Sequence, residues 1–252
     1  MRWIISPAKK MREERDFLPP RALPEFLPDA ERLLAYLRDL DYGALKKLLS
    51  CNDQIAKQNY ERYQAMDLRR DLTSALLAYQ GIQYQYMAPN VLEEGDYGEL
   101  QEHLRILSGF YGLLRPMDGV TPYRLEMQAK LQTDFCRDLY DFWGDRLAKR
   151  LAEETDLILN LASEEYAKAV RRGLPAGTRM ADVIFGEITG SGYVEKGVYV
   201  KMARGEMVRF LAQNRARSLA DVTAFERLGY RYVPGESAGD RLVFLREVPA
   251  KR

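Results

Sequence analysis

The stretch LILNLASEEYAKAV, residues 157–170, opens on five residues that read as a buried strand, Leu157–Leu161, and turns through Ser163 into the helix EEYAKAV. A short apolar run followed at once by a capping serine and helical spacing is a unit of α/β architecture. Arg2–Ser6 (RWIIS) repeats its first half, a short buried strand ended by Pro7. Met180–Ile188 and Tyr193–Met202 read as two more strands joined by the glycine-rich turn TGSG, and Tyr230–Val233 with Arg241–Arg246 as a closing hairpin around PGESAGD.

Helices fill most of the rest. After the Pro-rich loop DFLPPRALPEFLPDA, Asp29 is placed to cap AERLLAYLRDL. Helical spacing follows over Ala44–Leu49, Asp53–Met66, Asp71–Tyr79 and Asp96–Leu107, although LRIL at the end of the last also suits a strand. Arg137–Glu154 and Ala203–Arg215 read as helices, and Ser218 or Asp221 caps another running to Leu228. No repeat, linker or low-complexity segment divides the chain. The expectation is one mixed α/β (α+β) domain over residues 1–252, its elements alternating too irregularly for a clean doubly wound sheet.

Composition narrows the function. The chain has 252 residues, with 46% hydrophobic and 30% charged, in the range of ordinary globular domains. No apolar run approaches the roughly 20 residues that span a bilayer, and MRWIISPAKK is too soon charged to be a signal peptide, so a cytoplasmic protein without membrane partners is expected. Cys51 and Cys136 are too few for a disulfide scaffold and fit a reducing compartment. The single histidine, His103, excludes two-His metal sites within one chain, and no G-x-S-x-G elbow accompanies it. No cofactor and no metal site are expected. Lys+Arg (38) and Asp+Glu (37) nearly balance, so local clustering rather than net charge must point to a partner.

Four constellations could meet an anion. Ser6 and Lys9 directly follow a strand, as a hydrogen-bond donor and a positive charge or as a solvated turn. Asn160 interrupts an apolar strand, with Ser163 at a helix start and Tyr166 three residues on; they face a ligand or serve a structural bond and a cap. Lys201, Arg204 and Arg209 lie in a basic stretch reaching Arg217, opposed only by Glu206, and arginine suits phosphate oxygens. Leu107–Leu114, with Gly109 and Gly112, could form a glycine hairpin between two helices that approaches a DNA phosphate, or a tight structural turn; Arg115 and Arg124 would extend the basic surface and Tyr123 could stack or hydrogen-bond.

Five segments in order, IISPAKK, HLRILSGFYGLLRPMDGVTPYRLEM, LYDFWGD, ILNLASEEY and KMARGEMVRFLAQNR, resemble the YaaA peroxide-stress family from residue 2 to about 246. The resemblance implies a bacterial cytosolic protein with an unusual α/β fold, a positively charged cleft and a helix-hairpin-helix-like element, for which Leu107–Leu114 is the candidate here. It further implies survival of peroxide by limiting free intracellular iron, and binding of duplex or branched DNA. No catalytic reaction comes with it. The rival expectation is an enzyme acting on a phosphorylated small molecule or nucleotide, with Ser6, Lys9, Asn160, Ser163, Tyr166, Lys201 and Arg204 converging on one pocket.

Overall fold

The computed structural model describes residues 1–190 and 192–247. Ser191, in the TGSG turn, and residues 248–252 lie outside them. Strand β1 (Arg2–Ile5) is central, with Trp3, Ile4 and Ile5 wholly buried. The chain then lays down β2 (Lys10–Met11), α1 (Leu27–Asp39), α2 (Tyr42–Leu49), α3 (Asp53–Ala65), β3 (Thr73–Ser74), α4 (Ala75–Ala78), β4 (Tyr79–Gln80), α5 (Ile82–Met87) and α6 (Glu94–His103). Next come β5 (Leu104–Ser108), β6 (Gly112–Leu114), β7 (Gly119–Val120), α7 (Leu139–Trp143), α8 (Arg146–Glu154), β8 (Leu157–Leu161) and α9 (Glu164–Arg171). The last are β9 (Arg179–Thr189), β10 (Gly192–Val194), α10 (Gly197–Gln213), α11 (Leu219–Thr223), β11 (Arg231–Tyr232) and β12 (Arg241–Arg246).

The main sheet runs β11-β12-β9-β8-β1-β5-β6, with β10 on β9. Its five inner strands are parallel, while β6, β10 and β11 join antiparallel. Parallel strands covered by helices bury both faces, which is why RWII, LRILS and LILNL are apolar runs rather than alternations. From β1 the sheet grows toward β5 on one side, and from β8 toward β9 on the other. Where the direction of growth reverses, a crevice opens outside the carboxyl ends of the strands. Ser6 and Ser163 stand at that crevice. Among the described residues no helix is long and apolar enough to cross a membrane.

Several boundaries differ from the sequence expectation, each for a physical reason. The first long helix starts at Leu27 with Phe26 at the cap, because Pro28 suits a first turn and Asp29 then sits inside it. Asp71–Tyr79 forms only the single turn α4, since its ends are drawn into the small ribbons β3–β7 and β2–β4. Leu104–Ser108 leaves the helix to pair with β1. Gly144, at φ 55°, splits Arg137–Glu154 into α7 and α8. Ser218 caps α11 in a capping box with Asp221, and that helix stops at Thr223, short of Leu228.

Two corrections bear on function. Leu107–Leu114 is not a pair of helices but the β5–β6 hairpin, with Ser108 opposite Gly112. Both glycines are there for packing: a Cβ on Gly109 would lie 2.6 Å from the Leu125 carbonyl, and Gly112, at φ +73°, abuts the Trp143 ring. Elsewhere in the chain, α2 and α3 are two helices joined by a short turn. That turn is Ser50-Cys51-Asn52, with Ser50 left-handed at φ 45° and Asn52 capping α3 through Ile55 N at 3.0 Å. The second correction is that Tyr193–Met202 leaves strand geometry after Val194, and Lys201 lies inside α10.

Candidate functional site

Ser6 and Ser163 are joined across the crevice. The Ser163 N–H donates to Ser6 Oγ at 2.8 Å, and the two hydroxyls are 3.1 Å apart. Ser163 occupies the cap position of α9, yet its side chain makes no capping bond and meets the Ser6 hydroxyl instead. Tyr84 on α5 donates to the Ser6 carbonyl at 3.1 Å, fixing the strand end to the helix.

Around these hydroxyls lies a cleft of about 460 Å³, floored by the residues after β1 and walled by α5, α9, α10 and the 123–126 segment. Lys9, Tyr123, Arg124, Tyr166, Lys201 and Arg204 all line it. Six of the seven residues expected in one pocket therefore meet there. The seventh, Asn160, does not. It is 7% exposed, and its amide donates to Asp182 at 2.7 Å while its oxygen accepts from Ala162 N at 2.9 Å, so it bonds within the sheet and its edge and does not line the cleft.

The charges in the cleft are unequal. Lys9 and Arg124 hold Glu126 at 2.8 and 3.1 Å. Glu165 is half-buried and accepts from Gln128 N at 3.2 Å; burial raises its pKa, the charge of Glu126 adds to the rise and Lys9 opposes it. Lys201 is exposed at the rim. Arg204 is different again: burial pulls its pKa down, and its Nε has no hydrogen-bond partner among the described residues. Desolvating a guanidinium without pairing it is unfavourable, and an anion in the cleft would relieve it. Tyr123 is wholly structural in its bonding, its hydroxyl 2.6 Å from Ser108 Oγ and 2.9 Å from the Tyr79 hydroxyl in a buried chain.

The other expected residues lie elsewhere. Arg209 is on α10 but does not line the cleft. Arg115 points to the opposite end of the sheet, 3.7 Å from Glu154, which also binds Arg2 at the start of β1. Arg215 and Arg217 both reach Glu99, the latter at 2.7 Å. Gly109 and Gly112 are in the core. Conversely, Gln83, Glu126 and Glu165 line the cleft without having been singled out in the sequence. Glu165 could have been found as the neighbour of Tyr166 in the first turn of a helix at the sheet edge; Gln83 carries no local signal.

The helical hairpin is tied to this wall. Tyr63, near the end of α3, donates its hydroxyl to the Arg124 carbonyl at 2.6 Å. At the other end of the hairpin, Lys46 pairs with Asp53 at 2.7 Å and Lys47 is exposed beside Ser50.

The family model described as "Peroxide stress protein YaaA" matches residues 1–236. A UPF0246 protein of Desulfitobacterium hafniense is 53% identical over 251 residues, covering 100% of both chains. UPF0246 proteins of Lachnoclostridium phytofermentans and Pediococcus pentosaceus are 51% and 46% identical, covering 98% of this chain and 96% and 98% of their own. With a family model spanning nearly the whole sequence and relatives matched end to end, the chain belongs to the YaaA peroxide-stress family, whose members also carry the name UPF0246.

Proposed function

We propose that this chain serves in peroxide stress by binding DNA, through the carboxyl-edge cleft and the turn of the α2–α3 hairpin. The observation that carries this reading is Arg204, a half-buried arginine on the cleft wall whose buried Nε is unpartnered among the described residues. Lys201 stands one helical turn before it and Lys9 on the opposite bank. Two helices joined by a three-residue turn, with a left-handed Ser50 and exposed Lys47, supply the kind of surface that meets a phosphate backbone. Protection follows from occupancy of the DNA, and limitation of free iron belongs to the same proposal as an indirect effect.

A salt series tests it. Binding to duplex and four-way-junction DNA is expected to weaken linearly on a logarithmic scale as salt rises, because each neutralised phosphate releases counterions. Lys201→Ala with Arg204→Ala should lower that slope by about 2 in the log–log plot, and Lys47→Ala by about 1 more. Unchanged slopes in all three would remove DNA from these surfaces.

A second reading is favoured by the cleft's size. A volume of about 460 Å³ falls within the range of small-ligand sites, and paired serines beside an arginine suit a phosphorylated small molecule or nucleotide. Thermal shifts with nucleotides and sugar phosphates, absent in Ser6→Ala, would support it.

A further inference from the structure

The inner part of the cleft offers more than a run of phosphates needs. Gln83, on α5, is 7% exposed and lines the cleft, and its Nε2 has no hydrogen-bond partner among the described residues. A buried primary amide with unfilled donors is uncommon in native proteins and calls for a ligand or bound water to complete it. Arg204 lines the same space with a second unfilled donor, its Nε. The two are carried on helices packed in direct contact, because Gly205 has no Cβ to hold α10 away from the Gln83 and Met87 backbone. A site mounted on packed helices is fixed more rigidly than one on loops. Opposite them, the N-terminal turn of the eight-residue α9 brings backbone N–H groups, and Ser163 leaves that turn without a side-chain cap.

Shape adds a direction. A second groove of about 640 Å³ borders the chamber, with Lys10, Gln80, Gly81, Ile82 and Tyr84 lining both and Arg12 lining the groove. A chamber of single-nucleotide size beside a groove lined by Lys10 and Arg12 suits one nucleotide with its strand laid along that groove.

We propose that the inner chamber is a nucleotide pocket, taking one nucleoside phosphate with its phosphate against Arg204 and the α9 turn and its base edge against the Gln83 amide. The DNA-binding reading supplies the source of that nucleotide, a unit turned out of a strand; the chemistry of the chamber is the same for a nucleotide taken from solution. Turning out a mispaired base is least costly, because its pairing is already lost.

The test uses a duplex with 2-aminopurine at a mismatch, whose fluorescence rises when the base leaves the stack. A dye at the duplex end reports binding by anisotropy in parallel. The full-length protein should raise the 2-aminopurine signal several-fold at saturating anisotropy. Gln83→Leu and Gln83→Glu, checked for fold by circular dichroism, should lose most of that rise while still binding the duplex; Arg204→Met is the independent check from the other helix. Free 2-aminopurine deoxyribonucleoside 5′-phosphate is titrated separately. Saturable binding of the free nucleotide, lost in the Gln83 variants, with no signal from DNA, would keep the pocket and assign its ligand to solution. Full duplex binding with no fluorescence change and no free-nucleotide binding would overturn the pocket and leave DNA binding intact. A rise equal to wild type in all three variants would overturn this placement. Absence of any duplex binding would defeat the DNA reading, and the free-nucleotide titration would then decide the pocket alone.

Discussion

Gly205→Ala sets two effects of opposite sign against each other. In the interior of an exposed helix this change is favourable by about 1 kcal/mol, because alanine has less backbone freedom to lose. Gly205 is buried in the middle of α10, where an added Cβ would overlap the Gln83 carbonyl oxygen and lie 2.8 Å from Met87 N and 2.9 Å from Tyr86 Cβ. Two of those three atoms are backbone of α5, so no side chain can swing away and the helices must separate. Overpacking of this kind costs about 3 kcal/mol. The net expectation is a loss of ~2 kcal/mol, which at roughly 2–4 °C per kcal/mol for a chain of this size lowers Tm by about 4–8 °C. Gly98→Ala is the matched control: it also lies inside a helix, α6, but its Cβ would meet nothing within 4 Å, so it should stabilise by about 0.5–1 kcal/mol. Thermal denaturation followed by circular dichroism, with urea titration for ΔG, reads both. A Gly205→Ala protein as stable as wild type would refute the close α5–α10 contact, and with it the placement of Gln83 beside Arg204.

Glu154→Gln should destabilise by about 3–5 kcal/mol in urea, because Glu154 holds Arg105 at 2.6 Å, Arg2 at 2.8 Å and Arg150 at 3.0 Å, and Arg105 is only 3% exposed. The Asp118 carboxyl is pushed up to about 6 by burial, with the Arg115 N–H and charge opposing. Its folded pKa thus exceeds the unfolded value of 3.8, so its favourable contribution is complete below about pH 4 and is lost as pH rises through 6, by ~3 kcal/mol at most. Asp118→Asn should flatten the fall in stability between pH 4 and 6, and an unchanged profile would put the titration elsewhere. Arg217→Ala, whose guanidinium is 2.7 Å from Glu99, should leave the salt slope of DNA binding unchanged, in contrast to Arg204→Ala.

What the sequence disclosed follows the range of the interactions involved. Arg2–Ile5 and Leu157–Leu161 are legible because a strand buried on both faces must be an apolar run, and Ser6 and Ser163 because they directly follow such runs. The helical reach of Lys201 was not legible: GVYV, with two β-branched valines around a tyrosine, reads locally as strand, but burial of Val200, Ala203, Met207 and Leu211 on one face holds it in α10. Asn160 stays open between a ligand and a structural bond in the sequence because its partner, Asp182, is 22 residues away. Leu107–Leu114 has two glycines that suit a turn between helices as well as one between strands, and the choice is made by β1, about a hundred residues earlier. Gln83 matters because its Nε2 lacks a partner among the described residues, and a missing bond leaves no trace in a sequence.

The hydrogen bond between Ser6 and Ser163 closes a loop of 157 residues. The strand at the centre of the sheet leaves the ribosome well before its neighbours β5 and β8. Parallel pairing across such distances gives a high contact order and slow folding, with an apolar segment exposed in the interval. The crevice exists only once β8 has docked beside β1, and its Arg204 wall only after α10 is synthesised. Until then Lys9 and Lys10 have none of the enclosure that makes them part of a site, and the apolar run RWII stays uncovered.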